Sequence, residues 1–223
     1  MEGSRLSPLQ ERVLAILAEV EPPWTLTGGA ALAAVHLRHR DTRDLDLFWH
    51  GQQDLARVAM VVRDSLRGVG LGVDTLQTAA TFQRLRVTDG TEVVLVDLVA
   101  DAVPPLEPPM RAKIGTAWVL VDTVREILAN KLCALLGRME VRDLLDVRAL
   151  LDEGGDLRQA LADAAVKDGG FSPLTLAWAL RGLQVAPLAA ASGMNASEAD
   201  EINQFRMNLI NSVVDLANPA EGD

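Results

Sequence analysis

The chain has 223 residues, 49% of them apolar and 23% charged, which suits one globular domain or two small ones with a sizeable core. Its formal net charge of −10 argues against a broad nucleic-acid-binding surface, although it leaves room for a local basic pocket. The single cysteine, Cys133, excludes a disulfide framework, and no apolar run approaches the ~18 residues of a membrane span, so we expect a cytoplasmic protein with no membrane partner.

The first half of the chain is predicted to alternate helices and strands. Capping residues, breakers and hydrophobic spacing predict helices over residues 8–20, 29–38 and 53–67. Apolar runs predict strands over residues 24–27, 44–49, 81–88, 91–99 and 118–121. Asp89-Gly90 predicts a tight hairpin turn between the third and fourth of these strands, and the proline-rich segment 103–109 is predicted to be a surface loop.

The second half is predicted to be helical. Thr123 and Glu126 form a capping-box pattern at its start. Helical spacing then predicts helices over residues 124–137, 141–152, 156–166, 173–184 and 197–217. We therefore predict an α+β fold, with a small mixed β-sheet core and flanking helices over residues 1–121 and a helical region over residues 122–223.

Two aspartates, Asp44 and Asp46, lie one residue apart in a predicted strand, so their carboxylates point to the same face. Like charges this close repel each other unless a cation lies between them, which indicates a divalent metal site. The alternative is a pair of surface aspartates on an edge strand. The apolar residues that interleave with them, Leu45, Leu47, Phe48 and Trp49, favour the metal site.

A third aspartate, Asp97, interrupts a strand that is otherwise apolar on both faces, Val93 to Val99. A lone carboxylate is costly there unless it is paired, protonated or bound to a metal. It could simply cap the next turn. If its strand neighbours that of Asp44 and Asp46, the three carboxylates could hold two divalent ions, and hard oxygen ligands favour Mg²⁺ or Mn²⁺.

Gly28-Gly29 lies between a predicted strand and a predicted helix, where backbone N–H groups favour an anion such as phosphate. No Gly-Lys-Ser/Thr follows, so this is not a Walker A loop. Arg40 belongs to a short basic cluster just before the aspartate pair. That cluster could bind phosphate oxygens or form ion pairs with Asp41 and Asp44.

Lys131 falls on the same side of its predicted helix as Ile127 and Leu135, so it is predicted to point inward. It could be a snorkelling lysine or a cation aimed at a triphosphate. Asp143 shares a face with apolar residues of the next helix and could face inward to orient Lys131. Asp146 could equally pair along its own helix with Arg142.

Together these motifs resemble the AbiEii/AbiGii-type nucleotidyltransferase toxin family of the DNA polymerase β-like superfamily. The resemblance rests on Gly28-Gly29-Ala30-Ala31-Leu32, His39-Arg40, Asp44-Leu45-Asp46-Leu47-Phe48, Lys131 and Arg142-Asp143-Leu144-Leu145-Asp146. Ala30 departs from the family pattern, because relatives often have Thr or Ser there. The turn would then offer phosphate only its backbone N–H groups.

The resemblance implies a metal-dependent nucleotidyltransferase with a toxin-like role. Asp44, Asp46 and Asp97 would be the catalytic and metal-binding residues, with Mg²⁺ or Mn²⁺ as cofactor. The nucleotide would be bound by Gly28, Gly29, Ala30, Arg40, Lys131 and Asp143. The implied partners are an NTP, an RNA (such as tRNA) or protein acceptor, and a cognate antitoxin. Two alternatives stay open: modification of a small molecule such as an antibiotic, and a catalytically silent binding module, which Ala30 would suit.

Overall fold

The computed structural model describes residues 5–218 and divides into two compact units, with the division between Thr123 and Val124. Among the described residues of the first unit, seven strands form one sheet in the order β3-β4-β5-β2-β1-β7-β6. The strands are β1 Thr25–Thr27, β2 Asp44–His50, β3 Gly72–Thr78, β4 Phe82–Thr88, β5 Val93–Asp101, β6 Met110–Ile114 and β7 Ala117–Val121. The β2–β5 and β1–β7 pairs are parallel and the other pairs are antiparallel, so the sheet is mixed.

The helices of the first unit precede or follow strands of this sheet. They are α1 Pro8–Leu17, α2 Gly28–Ala31 and α3 Ala56–Gly68, and α2 continues as a π-helical turn over Leu32–His36. The capping box predicted at the start of α1 is present, since the side chains of Ser7 and Gln10 each accept a bond from the other's backbone N–H. Helix α1 contacts β5, β7 and α3, which places both longer helices against the sheet.

The second unit is helical. It contains α4 Val124–Gly137, α5 Val141–Asp152, α6 Leu157–Lys167, α7 Pro173–Gly182, α8 Val185–Ala191 and α9 Ala196–Ala217. The mixed sheet with flanking helices, followed by a helical half, confirms the predicted fold class. Within residues 5–218 no single helix has the length and hydropathy of a membrane span; α7 and α8 meet that test only as a pair, bent by 71°.

Several element predictions were incomplete. Strands β3 and β6 were not predicted, because each is an edge strand with a single buried residue, Val73 or Ile114, and carries little hydrophobic pattern. The helix predicted over 173–184 ends at Gly182, and a separate helix, α8, follows after an extended Leu183. The predicted two-residue hairpin turn is also longer than expected, since Thr88 pairs with Val93.

The longer turn is stabilised by Asp89. Its Oδ1 accepts hydrogen bonds from the backbone N–H groups of Thr91 and Glu92, both at 2.9 Å, and Gly90 has φ +97°. These bonds lower the pKa of the Asp89 carboxyl to about 2. The connection therefore has four residues, and its length sets the register between β4 and β5.

Candidate active site

The three predicted carboxylates lie on one face of two neighbouring strands. In the parallel β2–β5 pair, Asp46 is directly opposite Asp97, and Asp44 is opposite Leu95. Asp44 and Asp46 are half-buried, whereas Leu45, Leu47 and Trp49 of the same strand are buried on the opposite face. Asp97 is 6% exposed. The structure therefore brings together the carboxylate groups on which the metal prediction depends.

A cation that the sequence reasoning missed, Arg84, lies within this carboxylate cluster. Arg84 is opposite Asp97 in the antiparallel β4–β5 pair, and its Nε and Nη2 donate to Asp97 Oδ1 and Oδ2 at 2.8 and 2.6 Å. The hydrogen bonds to Asp97 are the largest cause of a raised pKa of the Arg84 guanidinium, and the charges of Asp44 and Asp46 raise it further. All three carboxylates thus stabilise the charged form of Arg84.

The first residue of α2 lacks a side chain and so leaves room for the Asp46 carboxylate. Gly28 is the first residue of α2 and has φ +61°, which L-residues rarely adopt. A Cβ at Gly28 would overlap the Asp46 carboxylate, closer than the 3.0 Å that real Cβ atoms respect. Glycine is therefore required here twice, once by the backbone conformation and once by the neighbouring carboxylate.

Thr27 is a second residue that the sequence reasoning did not assign to the site. It is opposite Asp46 in the antiparallel β1–β2 pair and is buried. Its side chain does not cap α2, and within residues 5–218 its Oγ1 has no hydrogen-bond partner. A buried hydroxyl without a partner is unfavourable in a protein interior, so this atom is suited to a ligand beside Asp46.

The rest of the predicted glycine turn lies against Arg40. A Cβ at Gly29 would be 3.0 Å from Arg40 Nη2 and 3.2 Å from Thr42 Oγ1. Arg40 Nη1 also donates to the backbone carbonyl of Asp41 at 3.0 Å. Ala30 is fully buried, so its side chain packs into the core.

The same face of β2 ends in a histidine held between two carboxylates. His50 Nδ1 is 3.2 Å from Asp101 Oδ2, and His50 Nε2 is 3.1 Å from Asp122 Oδ1. The structure shows that His50 links the ends of β2 and β5 to the residue that follows β7.

In the second unit, Lys131 is 6% exposed, which confirms the prediction that it points inward. Its Nζ contacts Asp143 Oδ1 at 2.8 Å and Asp146 Oδ2 at 2.7 Å, and Arg138 makes two hydrogen bonds to Asp143 at 2.7 and 2.8 Å. Burial alone would lower the pKa of Lys131, but Asp146 and Asp143 outweigh it and the pKa is raised. Asp143 thus contacts Lys131, and Arg142 contacts Glu140 at 3.0 Å.

Comparison with known proteins identifies the family of this chain. The model of the nucleotidyl transferase AbiEii toxin family, of type IV toxin–antitoxin systems, matches residues 12–211. The chain belongs to this AbiEii family. A search of the curated proteins finds no significant match.

Solved structures of similar fold match most of this chain. MenT4, a nucleotidyltransferase toxin from Mycobacterium tuberculosis, is 17% identical over 96% of this chain and 86% of its own, with a TM-score of 0.64. JHP933 from Helicobacter pylori is 18% identical over 92% of this chain and 90% of its own, with a TM-score of 0.53. At these identities the likeness shows the fold alone.

The residues of this AbiEii chain fit a divalent cation. The donor set is three carboxylates, which suits Mg²⁺ or Mn²⁺ better than softer metals. Gly28 leaves the space that Asp46 occupies, and the Thr27 hydroxyl beside it is buried without a partner in the described part of the chain. The raised pKa of Arg84 reflects the negative potential that these carboxylates create.

Proposed function

We propose that the protein is a metal-dependent nucleotidyltransferase that transfers a nucleoside monophosphate from an NTP to an acceptor and releases pyrophosphate. The observation that carries this proposal is the placement of Asp44, Asp46 and Asp97 on one face of β2 and β5, next to Gly28. Membership of the AbiEii family supports the same chemistry.

Asp44, Asp46 and Asp97 would hold Mg²⁺ or Mn²⁺ as the cofactor. Ions bound there would offset the charge of the triphosphate and of the oxygens that attack and leave. Strand pairing holds the backbone of Asp46 on both sides, opposite Thr27 on β1 and opposite Asp97 on β5. Fixed carboxylates are an advantage because this chemistry depends mainly on positioning and on charge.

The backbone N–H groups of Gly28, Gly29 and Ala30 would bind phosphate oxygens, with Arg40 beside Gly29 as an additional donor. The close approach of Arg40 to the glycine turn supports this role. The assignment of Lys131 and Asp143 to nucleotide binding rests on the family resemblance. Their mutual ion pair is a separate fact about the second unit.

A basic aromatic patch in the first unit supports an RNA acceptor. Trp118 on β7 is 53% exposed, the Arg111 guanidinium lies 5.4 Å from the centre of its ring, and Lys113 is opposite Trp118 in the β6–β7 pair. An exposed ring beside two cations suits base stacking together with phosphate attraction. In a chain of net charge −10, this patch provides the local basic site that an RNA would need.

We infer a toxin role in which RNA is modified and a cognate antitoxin restrains the activity. Protein and small-molecule acceptors are the competing possibilities. Replacing Trp118 with alanine separates them, because it should reduce labelling of RNA by at least about tenfold while leaving NTP binding intact. Equal labelling of RNA by the wild type and W118A would remove the patch from the proposal.

The central experiment incubates the protein with each labelled NTP, Mg²⁺ and total RNA, with protein and small-molecule acceptors in parallel. D46N removes one carboxylate charge without changing the size of the side chain. The control, D64N, makes the same change on the exposed surface of α3. Labelling by the wild type and D64N, and not by D46N, supports the proposal.

Absence of labelling with every acceptor and every NTP would contradict the proposal that the protein is an enzyme. In that case, thermal stabilisation by NTP would instead support the silent binding module that Ala30 left open.

A further inference from the structure

We propose that Arg84 is a built-in cation of the carboxylate cluster that competes with the divalent metal for Asp97, so that metal binds tightly only when an NTP arrives with it. This inference rests on the proposed function and deepens it. It assigns a positioning role to a residue on β4 that neither the family motifs nor the sequence pattern singled out.

Arg84 and Asp97 are cross-strand neighbours, and both oxygens of the carboxylate accept from the same guanidinium, at 2.8 and 2.6 Å. Phe82, two residues earlier on β4, has its ring centre 5.8 Å from the guanidinium carbon. A two-point hydrogen bond of this kind fixes the direction of the carboxylate and occupies part of its capacity to accept bonds or metals.

Three carboxylates, Asp44, Asp46 and Asp97, surround one guanidinium, and all three stabilise its positive form. A divalent ion that enters the same cluster shares Asp97 with Arg84 and is repelled by it. Two like charges at such short range weaken binding by about tenfold even in a water-like dielectric, and by more where water is excluded.

A triphosphate carries several negative charges and offers oxygens that match the planar guanidinium in the way a carboxylate does. When a metal–NTP complex binds, Arg84 therefore has an alternative partner, and Asp97 becomes available to the metal. Arg84 thereby couples metal binding to nucleotide binding, and each ligand is expected to tighten the other by the same factor.

The test measures binding of Mn²⁺ alone by calorimetry, with no nucleotide present. We expect R84Q to bind Mn²⁺ at least about tenfold more tightly than the wild type, because the competing charge is gone. The matched control is R86Q on the same strand and face, where Arg86 pairs with the exposed Asp74 at 2.9 Å. R86Q should bind Mn²⁺ within about twofold of the wild type, since an exposed pair contributes little.

Unchanged or weaker Mn²⁺ binding by R84Q would overturn the inference, because Arg84 would then act only as a structural partner of Asp97. R84Q removes the guanidinium partner of the Asp97 side chain, which is only 8% exposed, so thermal unfolding must show that the variant is folded. If it is not, the wild type decides: its Mn²⁺ affinity must rise at least about tenfold when a non-hydrolysable NTP analogue is added. A smaller rise contradicts the coupling.

The same titrations separate this inference from the proposed function. If D46N binds Mn²⁺ as the wild type does, the carboxylates are not a metal site and the proposed function fails. If D46N loses Mn²⁺ while R84Q and the wild type bind equally, the metal site remains and only the role of Arg84 is removed.

Discussion

Gly28→Ala is the most informative single change in the glycine turn. Gly28 has φ +61°, where a residue with a Cβ costs about 1–2 kcal/mol. Alanine also restricts the unfolded chain, which returns about 0.4–1 kcal/mol. The backbone effect alone is therefore about 1 kcal/mol, or roughly 2–4 °C in the unfolding temperature for a chain of this size.

The added methyl group has a second effect at Gly28, because it would overlap the Asp46 carboxylate. The carboxylate must rotate away or the turn must shift, at a further cost of about 1–3 kcal/mol. Either movement displaces one of the three proposed metal ligands. We expect G28A to bind Mn²⁺ at least about tenfold more weakly than the wild type, since misplaced ligands lose both charge and geometry.

Gly51→Ala is the matched control. Gly51 follows β2 directly and has φ +73°, and a Cβ added there would meet no atom within 4 Å. It therefore carries the same backbone cost without contact to a carboxylate. Calorimetric titration with Mn²⁺ and thermal unfolding of both variants separate the two effects. If G28A and G51A bind Mn²⁺ equally well, the space beside Gly28 is not needed for the site, and the reasoning is refuted.

Three further predictions concern the second unit. D143N should lower the free energy of unfolding by about 1.5–3 kcal/mol, because it removes the buried carboxylate that Lys131 and Arg138 share, while Lys131 keeps its contact with Asp146. D74N, at an exposed pair, should cost less than about 1 kcal/mol. Equal losses for the two variants in urea denaturation would contradict this prediction. Burial would raise the pKa of Asp143, but Arg138 and Lys131 outweigh it and lower the pKa below the ordinary 3.8. The ionised carboxylate therefore stabilises the fold above about pH 4, and this stabilisation is lost as the pH falls through the lowered native pKa. D143N should flatten the acid side of the plot of stability against pH, and a plot parallel to that of the wild type would argue against the pairing. Burial raises the pKa of the Cys133 thiol from 9.0 to about 11. Because the thiolate is the reactive form, alkylation by iodoacetamide at pH 8 should be about a hundredfold slower in the native protein than in urea. Similar rates in the two conditions would show that the thiol is not shielded.

Local pattern was sufficient for most of the secondary structure and for the shared face of Asp44 and Asp46. Alternation along a strand is a property of the backbone itself, so residues two apart point the same way in any sheet. Helical spacing likewise predicted that the Lys131 side chain points inward. Edge strands β3 and β6 were not predicted from the sequence, because each buries one residue and has little hydrophobic periodicity.

The partners of the charged groups depended on pairings that local pattern does not encode. A two-residue turn at Asp89-Gly90 would pair Thr88 with Thr91, whereas the observed four-residue turn pairs Thr88 with Val93 and sets Arg84 opposite Asp97. Buried Lys131 likewise has two carboxylates around it, and the packing of α4 against α5 selected Asp143 and Asp146.

The sequence by itself determined that Asp44 and Asp46 share one face of their strand, that Lys131 points inward from its helix, and the family to which the chain belongs. Only the tertiary structure decided that β2 and β5 are neighbours, that Asp46 and Asp97 are directly opposite, that Arg84 lies among the carboxylates and that the hydroxyl of Thr27 is buried beside Asp46. The physical reason is range: side-chain direction follows from the repeat of one element, whereas strand order and register depend on turn lengths and on packing between residues far apart in the chain.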